Sequence, residues 1–259
     1  MTLESHLRAR RDAGHKLLVP YITGGLGSEW TEVLRAVAAA GADAVEIGIP
    51  FSDPVMDGPT IQEASMRALA LGATPAGVVD DVRAVAADVP VPMAVMTYYN
   101  IVFRAGHERF AHSLAEAGIS AVILPDAPLE ELGDWKAAAK PAGVETVLLA
   151  APVTPDERLA RLCQAAEGFV YGINLMGVTG ERGALAETGG VLAKRLKAIT
   201  DKPVLMGLGV STPEQAVEAA SLSDGVIVGS ALVRKLLDGG GPEGAAEFVR
   251  SLRAALDAG

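Results

Sequence analysis

TEVLRAVAAAGADAVEIGIP, residues 31–50, holds the two periodicities that decide the fold. Its first half places Val33, Leu34, Val37 and Ala40 at i, i+1, i+4 and i+7, one apolar stripe of a helix. Ala40-Gly41 then offers a glycine free to take the left-handed conformation that closes a helix. The second half, AVEIG (44–48), is short and apolar apart from one carboxylate. Such a run suits a parallel strand covered on both faces.

The same unit recurs along the chain. Strand candidates are LLVPYI (17–22), AVEIG (44–48), VPMAVM (91–96), AVILP (121–125), TVLLA (146–150), FVYGI (169–173), PVLMG (203–207) and GVIVG (225–229). Helix starts share one device, at Thr74-Pro75, Thr154-Pro155 and Thr212-Pro213. There threonine can cap free N–H groups while proline fills the first helical position, with Glu157 and Gln215 at capping-box spacing from their threonines. Ala-Gly at 117–118 and 142–143 repeats the stop before a strand. Eight strand–helix units in 259 residues predict one α/β domain, a (β/α)8 TIM barrel over 1–259. A doubly wound sheet is disfavoured, because GLGVST (207–212) lacks the third glycine of a nucleotide turn. The longest strand-to-strand interval predicts extra helical structure in 51–74, with more at the N-terminus, and DGGGPEG (238–244) marks a break before a last helix.

Composition narrows the partners. Twenty-two basic against 32 acidic residues give a net charge of −10, which argues against nucleic acid and anionic membranes. No apolar run approaches the roughly 18 residues of a membrane span, and MTLESHLRARRDAGHK is no signal peptide. A single cysteine, Cys163, excludes a disulfide framework; with the rest it predicts a cytoplasmic protein. Cys163 falls in an apolar helical stretch and reads as packing, while the histidines at 6, 15, 107 and 112 lack metal-ligand spacing. Lys16 would lie at the wrong barrel end for Schiff-base chemistry.

In a barrel, chemistry belongs to the C-terminal strand ends. Strand alternation puts Ala44, Glu46 and Gly48 on one face and the bulkier Val45, Ile47 and Ile49 on the other, so Glu46 should point into the barrel. A carboxylate there loses hydration and gains a raised pKa suited to acid/base work. Asp53 and Asp57 follow in a Pro- and Gly-rich loop, where an aspartate serves equally well as a turn cap. Two converging carboxylates would make an acid/base site without choosing a reaction, since glycosidases use such pairs too. Gly207, Gly209 and Ser211, then Gly229 and Ser230, precede the last helices; their free N–H groups suit a phosphate. Gly177 and Gly180 in the sixth loop could add donors.

EIGIPFSDPVMDGPTIQ (46–62) resembles the signature of the tryptophan synthase alpha subunit family. YYN (98–100), LPDAP (124–128), GVTG (177–180), GLGVSTPEQ (207–215) and VGSALV (228–233) follow in the family's order. The resemblance implies cleavage of indole-3-glycerol phosphate to indole and glyceraldehyde 3-phosphate, with no cofactor and no metal. It also implies a pyridoxal-phosphate-dependent beta subunit in an alpha2beta2 tetramer. By that resemblance Glu46 would be the acid/base and Asp57 the second carboxylate. Gly180, Gly209, Gly229 and Ser230 would bind the phosphate, and Tyr171 and Thr179 would stand near the substrate. Tyr21, Ile61, Met96 and Leu208 would line the indole side. Three features depart from the family pattern: TGGLGSEW after the first strand, Asn174-Leu175-Met176 before GVTG, and Leu208 where phenylalanine is common. They touch indole packing and the loops that communicate with a partner, so a stand-alone lyase releasing free indole is an alternative. A non-catalytic subunit that binds a phosphate ligand is another. A different phosphate-sugar barrel enzyme is disfavoured by the 46–62 match.

Overall fold

A computed structural model describes residues 2–173 and 182–259, without the side chains of 182–187. In chain order the elements are α1 (Leu3–Asp12), β1 (Leu17–Thr23), α2 (Trp30–Ala39), β2 (Val45–Gly48), α3 (Pro59–Ala70), α4 (Pro75–Val85), β3 (Met93–Met96), α5 (Tyr99–Ala105), α6 (His107–Glu116) and β4 (Ile119–Ile123). There follow α7 (Gly133–Ala142), β5 (Glu145–Ala150), α8 (Asp156–Ala165), β6 (Val170–Ile173), α9 (Arg182–Ile199), β7 (Val204–Gly207), α10 (Pro213–Ser221), β8 (Gly225–Val228), α11 (Ser230–Leu237) and α12 (Gly241–Ala258). The eight strands pair in sequence order, all parallel, and β8 closes on β1.

Each strand candidate is a strand, and the predicted extra helices are α1 and α3. Three expectations need correction. The fourth strand runs two residues earlier than AVILP, because Ile119 already pairs with Met93 across an irregularity in the register. Thr154 does not cap α8: that helix starts at Asp156 with Pro155 at the cap position, and the Thr154 hydroxyl accepts from Ala151 N instead. Thr74 and Thr212 do cap α4 and α10, accepting from Gly77 N and Gln215 N. The Gln215 side chain reaches Ser211 N and Oγ rather than closing a capping box on Thr212.

Alternation sorts side chains as the sequence implied. Val45, Ile47 and Ile49 pack outward with Val33, Leu34 and Val37 of α2. Ala44, Ala94, Ile123, Val147 and Leu205 fill the interior, joined by Leu3 and Leu7 of α1, which closes the N-terminal mouth. At that mouth one device appears three times: a carboxylate just before a strand accepts the first N–H groups of the preceding strand. Asp43 takes Leu18 N at 2.9 Å, Glu167 takes Thr146 N at 3.0 Å and Asp224 takes Val204 N at 2.8 Å. These bonds satisfy backbone donors that the barrel ladder leaves open.

Farther out, Trp135 Nε1 of α7 donates to Thr146 Oγ1 of β5 at 3.0 Å, with both residues fully buried. Thr146→Val keeps the shape but orphans the indole N–H, so stability should fall by about 1–3 kcal/mol, read from urea denaturation. An unchanged midpoint would mean the indole finds another acceptor.

Candidate active site

Strand register builds the centre of the site. Tyr21, Glu46 and Ala94 sit side by side on β1, β2 and β3, facing inward. Glu46 is 1% exposed, and its Oε2 has no hydrogen-bond partner among the described residues. Burial, with a smaller push from the charge of Asp57, raises its pKa to about 8. One strand turn above, Thr23 aligns with Gly48, and the Thr23 hydroxyl is likewise buried and unpartnered among the described residues.

The loop between β2 and α3 brings Asp57 in and leaves Asp53 out. Asp53 is exposed and bonded to Ser52 Oγ at 2.6 Å. Asp57 is half-buried and accepts from the Tyr98 hydroxyl at 3.0 Å. Burial raises its pKa to about 6, against the opposing effect of that hydrogen bond. Asp57 contributes to the shift of Glu46, and both carboxylates push up the buried phenols of Tyr21 and Tyr171, so the four groups face one space.

Two strand-end glycines make room for those phenols. A Cβ at Gly48 would stand 1.9 Å from the Tyr21 hydroxyl oxygen, and one at Gly207 would stand 2.7 Å from Tyr171 Cε2. Each ring therefore lies across a neighbouring strand where any side chain would collide. Tyr21, Ile61 and Met96 share one apolar cluster, and Met96 and Tyr171 also border the barrel interior. Four of the predicted substrate-side residues thus form a continuous wall beside Glu46. Leu208 stands apart from it: half-buried, it packs with the outer core against Gly189 of α9.

Next round the barrel from β1, past β7 and β8, Gly209 has φ +70°, a conformation that favours glycine, and Gly229 precedes Ser230 at the start of α11. That helix start has no side-chain cap, whereas α10 is capped by Thr212, so the first-turn N–H groups of α11 are the ones open to an anion. Thr179 and Gly180, with Gly177 and Asn174 to Met176, lie outside the described residues. Among the described residues no group of three or more His, Cys, Asp or Glu is arranged to hold a metal. Nor is any helix there long and apolar enough to cross a membrane. Tyr98 falls in YYN (98–100), which carries family resemblance but no pattern that singles out one side chain.

The family model for the tryptophan synthase alpha chain matches residues 7–255. The chain belongs to the tryptophan synthase alpha chain family. The alpha chain of Thermobifida fusca is 43% identical, over 99% of this chain and 97% of its own. That of Picosynechococcus is 41% identical, over 98% of this chain and 99% of its own. Among solved structures, a Mycobacterium tuberculosis tryptophan synthase superposes with a TM-score of 0.90 at 36% identity, covering 98% of this chain and 97% of the other. Alpha-chain membership therefore extends over nearly the whole barrel, not only the 46–62 motif.

Proposed function

We propose that Glu46 and Asp57 carry the reaction of this family, the retro-aldol cleavage of indole-3-glycerol phosphate to indole and glyceraldehyde 3-phosphate. The chain is a carbon–carbon lyase of tryptophan biosynthesis. The observation that supports this division of labour is the separation of the two pKa values. At neutral pH Glu46, near 8, keeps its proton, and Asp57, near 6, has lost its own. Glu46 then donates a proton to indole C3, which leaves a cationic indolenine. Asp57 accepts the indole N–H and stabilises the positive ring. The Glu46 carboxylate takes the proton from the glycerol hydroxyl next to the bond. The C–C bond breaks as its electrons return to the ring and the hydroxyl carbon becomes the aldehyde. Glu46 ends protonated, as it began.

The phosphate sits on the open N–H groups at Gly229 and Ser230, with Gly209 and, by family resemblance, Gly180 beside them. Tyr21, Ile61, Met96 and Tyr171 hold the flat indole; Thr179 adds a substrate contact, and Leu208 acts from behind the wall. The chain uses no cofactor of its own and works as one cytoplasmic domain. Its partner is a pyridoxal-phosphate-dependent beta subunit that consumes the indole in an alpha2beta2 complex. Exposed apolar side chains at the strand C-terminal ends support that docking: Val55 and Met56 after β2, Phe103 on α5 and Val153 after β5.

Indole release from indole-3-glycerol phosphate, with and without a beta subunit, tests the reading. Slow turnover alone and strong activation by the partner are expected, with Asp57→Asn lowering both by about 10²-fold or more. Fast turnover that no partner changes would replace this reading with a stand-alone lyase. No indole under either condition would leave only ligand binding.

A further inference from the structure

We propose that Tyr98 is a positioning residue for the cleavage reaction, holding Asp57 and the loop that carries it over the barrel mouth. The proposal rests on the role assigned to Asp57 above. Tyr98 stands just past β3, is buried, and places its hydroxyl between two parts of the β2–α3 loop. It donates to Asp57 Oδ2 at 3.0 Å and accepts from Met56 N at 3.0 Å. Its ring stacks on Phe51, centroids 4.8 Å apart and planes 24° from parallel.

One side chain rooted in the rigid barrel therefore grips the loop at Phe51, Met56 and Asp57. The loop's other bonds among the described residues are local, among them Val55 N to Asp53 O, Asp57 N to Pro54 O, and Gln62 Nε2 to Asp57 O at 2.8 Å. None of these touches the Asp57 carboxylate. Among the described residues, Tyr98 alone donates a hydrogen bond to it. Without that bond the carboxylate of an otherwise exposed loop would have nothing to fix its direction toward the indole N–H.

The hydrogen bond also stabilises the charged form of Asp57 against burial. Its loss should make Asp57 hold a proton more tightly. Asp57 still loses its proton before Glu46 does, so Glu46 titrates against a charged Asp57 as before. The active window should thus narrow from its acidic side alone. Other titratable groups bearing on this cluster are Tyr21 on β1, Tyr171 on β6 and Asp126 after β4. The phenols are raised above their ordinary value and stay neutral across the window.

Tyr98→Phe keeps the ring and its stack on Phe51 and removes only the hydroxyl. The pH dependence of kcat/KM for indole release is measured for this variant and the parent, each with the beta subunit. The acidic limb should move up by about half to one pH unit and the basic limb should stay in place. At a pH below the acidic limb, the rate should fall about 3–10-fold further than on the plateau. A uniform drop with both limbs unmoved would reduce Tyr98 to packing and overturn the proposal. Site-specific difluorotyrosine at position 98 supplies a stronger donor in the same fold and should move the acidic limb down. Carboxyl ¹³C titration of Asp57 reads the same shift without turnover, and an unmoved Asp57 there would also overturn it. Failure of the Asp57 assignment itself is separable: Asp57→Asn would then retain full activity, whatever Tyr98→Phe does.

Discussion

Glu46→Gln should lower indole release by about 10²–10⁴-fold, alone and with the beta subunit, while leaving KM close to that of the parent. The carboxamide matches the carboxyl in shape but can neither deliver an acidic proton to indole C3 nor take one from the glycerol hydroxyl. Stability separates lost chemistry from a collapsed site. The Glu46 carboxyl is raised from 4.5 to about 8 in the folded chain, so folding favours its protonated form. That contribution is complete below about 4.5 and is lost steadily as pH rises from there to 8, above which a buried charge must be tolerated. Glutamine carries no such charge. The variant should therefore match the parent in urea denaturation below about pH 4.5, already exceed it at pH 7 and keep that lead above pH 8. An active variant would remove Glu46 from the mechanism, and one destabilised at pH 7 would show the carboxyl to be a packing element.

The barrel was legible because its strands are covered on both faces and its helix stops repeat. Glu46 was legible for a related reason: within AVEIG the period of two leaves no choice of face once Val45 and Ile47 must meet helices. Past a strand end that period stops. Tyr98 lies beyond β3, and what it touches is set by a loop 41 residues away in sequence, so no local pattern announces it. Similarly, Gly48 reads only as sharing a strand face with Glu46, and Gly207 as a phosphate donor. Their need for hydrogen comes instead from Tyr21 and Tyr171 on adjacent strands, a contact made only by closing the sheet. The short helix α5, YNIVFRA, spans two turns and has no stripe long enough to declare itself. Thr154-Pro155 looked like its two counterparts, yet the helix begins a residue later and leaves the threonine in the preceding turn.

At the opposite end of the barrel, Asp43→Ala should cost about 3–5 kcal/mol of stability while leaving kcat unchanged at temperatures where the chain stays folded. Asp43 is 2% exposed and joins three elements. Its Oδ1 accepts from Arg10 of α1 at 2.7 Å; its Oδ2 accepts from Leu18 N of β1 at 2.9 Å and from Arg253 of α12 at 3.2 Å. Arg253 in turn donates to Lys16 O at 2.8 Å, fastening the last helix beside the first strand. Removing the carboxylate leaves a buried strand N–H without its acceptor and a largely buried guanidinium without this counter-charge, although Asp257 remains 2.6 Å from Arg253 Nη2. Asp43→Asn should fall between, since an amide oxygen still serves Leu18 N but cannot balance the two arginines. The loss should change little between low and moderate salt, because a buried pair is weakly screened. A strongly salt-dependent or sub-kilocalorie effect in urea denaturation would instead place Asp43 among ordinary surface pairs. Activity is spared because the strand N-terminal end carries stability in this architecture, while the reacting groups stand at the other end.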